Sequence, residues 1–141
     1  ISLRGKHVVV LGRSNIVGRP ISILTSLKSK YANSTTTICH SGSKNIEKFT
    51  RDADVVIAAL GVPNYLTKGM IKQDSIIIDV GINRINNDSE KGYVIVGDAC
   101  WEEVTQISKA VTPVPGGVGP MTIAMLVENT IEAAENFHKY A

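Results

Sequence analysis

His7-Val8-Val9-Val10-Leu11-Gly12-Arg13-Ser14-Asn15-Ile16-Val17-Gly18-Arg19-Pro20 is the stretch whose reading decides the fold. Its first five residues are apolar and β-branched, as in a strand buried on both faces. After the turn, Val17, Ile21, Leu24 and Leu27 recur three or four residues apart, which is helical spacing. Pro20 suits the first turn of that helix, where a missing N–H costs nothing. A strand, a glycine turn and a helix beginning at the turn make an anion site. The unpaired N–H groups and the positive dipole end of the helix point into the turn. Gly12 permits the sharp turn, and Gly18 permits close approach of helix to strand or of a phosphate to backbone. The spacing is Gly-x-Ser-x-x-x-Gly, so the pattern needs its context.

Outward from this stretch, strands and helices alternate. Further strands are expected at Ser34–Cys39, Asp54–Leu60, Ser75–Val80, Tyr93–Val96 and Ala110–Thr112. The first helix is expected from about Arg19 to Lys28-Ser29-Lys30. A short helix should begin at Ile46 and Phe49, one helical turn lies at Thr67–Ile71, and a helical patch surrounds Trp101, Val104 and Ile107. Asn86 to Gly92 reads as a polar excursion, and Pro113 to Pro120 as a Pro/Gly loop. From Thr122 a long final helix presents Ile123, Val127, Ile131, Ala134 and Phe137 on one face. Uniformly apolar strands alternating with helices predict a Rossmann-like, doubly wound α/β domain, its sheet mostly parallel and covered by helices on both faces.

The bulk composition is consistent with this. The 141 residues make one domain, with 43% hydrophobic and 20% charged residues. A net charge of +2, without a basic cluster or aromatic ladder, gives no nucleic-acid signature. No apolar run reaches membrane-spanning length. Cys39 and Cys100 lie far apart without metal-ligand spacing, and are expected as buried free thiols in a reducing, cytoplasmic setting. The chain opens on Ile1 rather than Met, as a processed chain or an excised domain does, so residues upstream are expected.

In doubly wound sheets, ligands lie beyond the carboxyl ends of the strands. Here those ends are Gly12-Arg13-Ser14, His40-Ser41, Ala59-Leu60-Gly61, Val80-Gly81-Ile82 and Pro113-Val114-Pro115-Gly116-Gly117. Their small residues leave room for a flat ligand against backbone. An NAD-preferring domain places an acid at the end of its second strand to hold the ribose hydroxyls. This chain has Cys39-His40-Ser41 there, with no carboxylate to repel a 2′-phosphate. Ser41 can donate to such a phosphate, and Arg13 can pair with it, so the combination favours NADP. Against this, Arg13 could be a solvated turn residue and Ser41 a helix cap. His40 is as readily a loop histidine as a cofactor contact, while His7 reads as a core or edge residue and His138 as solvated. Asp79 and Asp98 end strands and suit loop hydrogen bonding. The residues offer no nucleophile–base set and no metal cluster, so a cofactor site stands without evident catalytic apparatus.

Three runs carry a resemblance. Gly12-Arg13-Ser14-Asn15-Ile16-Val17-Gly18, Val80-Gly81-Ile82-Asn83 and Thr112-Pro113-Val114-Pro115-Gly116-Gly117-Val118-Gly119-Pro120-Met121-Thr122 resemble the methylenetetrahydrofolate dehydrogenase/cyclohydrolase family. The third run is the most specific. The likeness covers this whole chain but only that family's carboxyl-terminal, NADP-binding domain. It implies a two-domain enzyme that oxidises 5,10-methylenetetrahydrofolate with NADP and hydrolyses the methenyl product to 10-formyltetrahydrofolate. The cofactor residues it implies are Gly12, Arg13, Ser14, Ile16, Val17, Gly18, Ser41, Ala59, Gly61 and Ile82, with Arg13 and Ser41 near the 2′-phosphate. Pro115, Gly116, Gly117, Val118 and Gly119 would border the folate and the nicotinamide. The family's catalytic lysine, tyrosine and aspartate belong to an amino-terminal folate domain that no part of residues 1–141 matches, so no catalytic residue is assigned. A homodimer is also implied. Residues 28–34 and 86–92 depart from the family pattern as surface loops. Rival readings are a non-enzymatic nucleotide-sensing domain and the cofactor half of another oxidoreductase, such as a shikimate-type dehydrogenase.

Overall fold

The computed structural model describes residues 1–88 and 90–140, with side chains as far as Phe137, so His138 lies outside the described side chains. In chain order the strands are β1 (His7–Leu11), β2 (Thr35–Cys39), β3 (Val55–Ala58), β4 (Ile76–Asp79), β5 (Asn83–Asn86), β6 (Tyr93–Val96) and β7 (Ala110–Val111). The helices are α1 (Gly18–Ser26), α2 (Ile46–Thr50), α3 (Trp101–Val104) and α4 (Val118–Tyr140), with one 3₁₀ turn at Lys68–Met70.

Five strands form one parallel sheet in the order β2-β1-β3-β4-β7. The chain winds outward from β1 to β2, then crosses back to β3, so the reversal of strand order falls between β1 and β3. That is where a doubly wound sheet opens a ligand crevice. Register places Cys39 opposite Leu11, Leu11 opposite Ala58, and Ala58 opposite Asp79, so four strands end on one line. With about 4.8 Å between strands, the edge from β2 to β7 is about 19 Å long, enough for an extended ligand.

The β1 run is fully buried from Val8 to Leu11 and feeds both faces of the sheet. On one face Val9, Leu11, Val56 and Ile77 pack with Leu66 and Val104, covered by α2, α3 and the 3₁₀ turn. On the other, Val8, Val10, Val55 and Ile57 pack with Ile21 of α1. This second face is only half covered. Beside α1 a groove of about 610 Å³ runs over Ile57, Ile76, Ile78 and Val80.

The helices differ from expectation at their ends. α1 stops at Ser26 rather than near Lys30. The Thr25 carbonyl accepts from both Ser34 N–H and Ser34 Oγ–H, which turns the chain into β2. α4 begins at Val118, so the last three residues of the expected Pro/Gly loop are helical, and Pro120 sits within its first turn. The apolar face of α4 is not buried: Ile123, Val127, Ile131 and Phe137 are exposed. Residues 83–86, partly assigned to a polar excursion, form β5 and pair antiparallel with β6. The alternating polar Asn-Arg-Ile-Asn gave no apolar signal; Arg84 stacks its guanidinium 4.2 Å from the Tyr93 ring centroid. Cys39 is buried, but Cys100 is only half-buried; both are free thiols. No helix among the described residues is long and apolar enough to cross a membrane.

Candidate cofactor site

Between β2 and β3 on the sheet edge, β1 is followed by Gly12, whose φ of +114° suits glycine. A Cβ there would overlap the carbonyl oxygen of Ala59, just past β3. A Cβ on Gly18 would likewise overlap the carbonyl of Gly12. The two glycines therefore bring β1, the end of β3 and the start of α1 into backbone contact, which places Gly12, Gly18 and Ala59 together. Gly12 N–H donates across to the Cys39 carbonyl at 2.8 Å, tying the turn to the end of β2 as well.

The helix start is less open than the turn pattern implied. Ser14 Oγ accepts from Val17 N–H at 3.1 Å and Gly18 N–H at 3.3 Å. Arg19 N–H donates to the Ser14 carbonyl, and Pro20 has no N–H. Ser14, three residues before the N-cap Val17, thus takes the amides that enter α1, and the expected unpaired groups of the first helical turn are taken. The amides of Ser14, Asn15 and Ile16 take no acceptor within the protein among the described residues. Those three, on the exposed rim of the turn, are left for an anion. Ile16 stands 87% exposed beside them, and Val17 is half-buried.

At the β2 end, Arg13 Nη1 lies 3.5 Å from His40 Nε2, at the outer limit of a hydrogen bond. Gly42 N–H donates to His40 Nδ1 at 3.0 Å, so in the neutral ring the proton sits on Nε2. Two donors then face each other, an arrangement that a negatively charged acceptor between them would relieve. Ser41 is exposed next to this pair. The sequence left His40 undecided; the signal for it was its place at a strand end, but only the fold shows it facing Arg13.

Toward β4, Gly81, Ile82 and the loop from Pro113 to Pro120 line a pocket of about 540 Å³, floored by Asp79 and Val80. Pro115, Gly116, Gly117, Val118 and Gly119 all border it, Ile82 is 72% exposed at its rim, and the Val114–Pro115 peptide is cis. This pocket and the Gly12 turn are distinct parts of one edge, with Ala59–Gly61 between them by strand order.

Two buried carboxylates lie beneath. Asp79 Oδ1 accepts from Gly81 and Asp98 N–H at 2.9 and 3.0 Å, and Oδ2 from Ala99 N–H at 2.8 Å. Burial raises the Asp79 pKa against the opposing pull of those donors. Asp98, fully buried, receives Leu60 and Gly61 N–H on Oδ2 and Asn83 Nδ2–H on Oδ1. The loop-bonding role read for both aspartates is what the geometry shows. His7 Nε2 meets Thr37 Oγ1 at 3.1 Å, away from this edge.

Comparison with known proteins follows the same lines. Residues 1–138 match the model of the tetrahydrofolate dehydrogenase/cyclohydrolase NAD(P)-binding domain. The bifunctional protein FolD of Chlorobium phaeobacteroides (strain BS1) is 54% identical over 139 residues, covering 98% of this chain and 47% of that protein. The FolD protein of Flavobacterium psychrophilum is 56% identical over 136 residues, covering 96% and 46%. The chain therefore spans about half the length of the curated relatives it matches. Among solved structures, a 5,10-methylenetetrahydrofolate dehydrogenase of the silkworm Bombyx mori superposes with a TM-score of 0.87 at 40% identity, over 99% of this chain and 48% of that one. The Trypanosoma brucei dehydrogenase-cyclohydrolase, solved with NADP cofactor and an inhibitor, gives 0.84 at 36% identity, over 93% and 44%.

Proposed function

Since the chain belongs to the tetrahydrofolate dehydrogenase/cyclohydrolase family, whose NAD(P)-binding domain it forms, we propose that it holds NADP for the oxidation of 5,10-methylenetetrahydrofolate. The catalytic and folate-binding half would lie upstream in a protein about twice this length. The observation that carries the reading is the layout of one sheet edge. Paired donors stand at β2, a turn bounded by Gly12 and Gly18 at β1, and a pocket under the Pro/Gly loop at β4 and β7. That order suits a 2′-phosphate, a pyrophosphate and a nicotinamide in succession. Membership of an enzyme family counts against a plain nucleotide-sensing domain.

The residues fit such a cofactor. Gly12 and Gly18 let β1, Ala59 and α1 meet with no Cβ between them, and the amides of Ser14, Asn15 and Ile16, without an acceptor in the protein among the described residues, would take phosphate oxygens. Arg13, His40 and Ser41 would take the 2′-phosphate, Ala59 and Gly61 would border the middle of the ligand, and Ile82 would support the nicotinamide ring. When bound, NADP accepts the hydride released from the methylene bridge. Residues 115–119, three of them glycines, would present mostly backbone to the reacting rings. Neither Asp79 nor Asp98 is placed to act as a base, because the oxygens of both are committed to N–H donors. Acid–base work, including hydrolysis of the methenyl product to 10-formyltetrahydrofolate, is accordingly assigned to the upstream half.

The exposed apolar face of α4 and the open groove on the sheet support that division, since both expose apolar surface that a further domain would cover. The same proposal extends to a cytoplasmic homodimer that supplies formylated folate for purine synthesis. The test is to assay NADP-dependent oxidation of the folate by the longer protein and by residues 1–141 alone. The reading expects turnover by the former and nucleotide binding without turnover by the latter. Turnover by the short chain, or none by the long one, contradicts it.

A further inference from the structure

Asp98 ties the middle of the proposed cofactor groove to the rim of its pocket. Its Oδ2 holds the N–H groups of Leu60 and Gly61, where β3 runs out beside the glycine turn, the second at 2.9 Å. Its Oδ1 holds Asn83 Nδ2 at 2.8 Å, one residue beyond Ile82 at the pocket rim. Its own backbone is fixed by Asp79, which also takes Gly81 N–H, and Asp79 N–H donates to Thr112 Oγ1 at 2.7 Å, at the head of the Pro/Gly loop. Glycine is required at 81 and 97 for this reason: a Cβ at either position would overlap the carboxylate of Asp98 or Asp79. Two carboxylates are thus kept out of water without a cation bonded to either among the described residues. Burying a carboxylate is costly, and an apolar pair would fill the space at less expense.

We infer that Asp98 is a positioning residue, which sets the Leu60–Gly61 and Ile82–Asn83 segments at a fixed distance and so fixes where the nicotinamide ring lies relative to the glycine turn. The inference rests on the proposed NADP site. It assigns Asp98 no contact with the reacting atoms. Misplacement of a reacting ring by about 1 Å costs on the order of 100-fold in rate, so a rigid bracket beneath the ring acts on turnover more than on affinity.

The test uses the full-length protein with Asp98→Ala, Asp98→Asn and Asn83→Ala. Asp98→Ala removes all three bonds. Asp98→Asn can keep them, because its Oδ1 can face Leu60 and Gly61 while a flipped Asn83 amide accepts from its Nδ2. In the NADP-free protein, amide exchange at 60–61 and 82–83 should rise at least about 10-fold in Asp98→Ala, with the amides of β1 unchanged. The dehydrogenase kcat should fall about 30-fold or more, against about 3-fold in the KM for NADP, and Asp98→Asn should restore most of it. Asn83→Ala should raise exchange at 82–83 alone, with a smaller loss of kcat. It decides the matter if Asp98→Ala does not fold. Unchanged exchange at both segments overturns the inference. So does exchange rising equally throughout the sheet while cyclohydrolase falls in step with dehydrogenase. A wild-type protein that fails to oxidise the folate overturns the proposed function instead, and the exchange pattern then judges the bracket by itself.

Discussion

A side chain on Gly18 would run into the carbonyl oxygen of Gly12, six residues earlier in the chain. The first turn of α1 therefore rests on the backbone that leaves β1, and the proposed anion-binding rim is shaped by what is missing at these two positions. Gly18→Ala must push the helix away from the strand, an overpacking cost of about 1–3 kcal/mol. Nucleotide affinity should fall with it. Gly119→Ala is the control, since its Cβ would meet nothing within 4 Å and it lies in the first turn of α4. It should leave stability unchanged or raise it by up to about 1 kcal/mol. Urea unfolding of both variants checks the contrast.

Asp79 gives a prediction with a definite sign. Its pKa is raised on folding by burial, so the folded state holds that proton more tightly than the unfolded chain does. Between about 3.9, the ordinary value, and the raised folded value, its ionisation costs stability as pH rises. Asp79→Asn lacks this titration and turns an amide donor toward at least one backbone N–H, which should cost about 1–3 kcal/mol at neutral pH. The deficit should widen on acidification through that window, because only the wild type regains stability there. Denaturant midpoints from pH 7 to pH 3 measure it.

Asp54 should behave in the opposite sense. Lys72 Nζ donates to Asp54 Oδ1 at 2.7 Å and His7 N–H donates to Oδ2 at 2.8 Å, and these hold its pKa below the usual carboxylate range. A depressed folded pKa gives stability that is present above about 3.9 and lost as pH falls through the folded value. Asp54→Asn should therefore flatten the acid limb of the stability curve. The effect should be small, since both side chains are partly exposed to solvent.

Much of this was legible in the chain. The β1 run and the apolar strands at β3 and β4 declared a parallel sheet because residues buried on both faces need no alternation. The Pro113–Pro120 run announced a Pro/Gly loop by composition. What escaped was whatever depends on pairing and not on the apolar pattern. β5 is polar and exists through its pairing with β6. The Arg13–His40 contact spans 27 positions, and the Asp98–Leu60 bond 38. α4 was read as carrying an apolar face because its period is right, and periodicity says which residues share a face and not what covers it.

That uncovered helix makes its own prediction. Ile131 is 55% exposed, so Ile131→Glu should change the stability of residues 1–141 by no more than about 0.5 kcal/mol. In the longer protein, where the proposal has the upstream domain cover this face, the same substitution should cost at least about 2 kcal/mol. Parallel melts of the two chains test it; equal small effects would leave α4 without the proposed partner.

The most direct measurement is calorimetric titration of the protein with NADP and with NAD, before and after Arg13→Ala. If Arg13 faces a 2′-phosphate together with His40 and Ser41, NADP should bind more tightly than NAD. Loss of the charge-assisted contact should then weaken NADP by about 1.5–3 kcal/mol and leave NAD nearly unchanged. Equal affinity for the two nucleotides, indifferent to Arg13, would contradict the assignment of this edge to NADP.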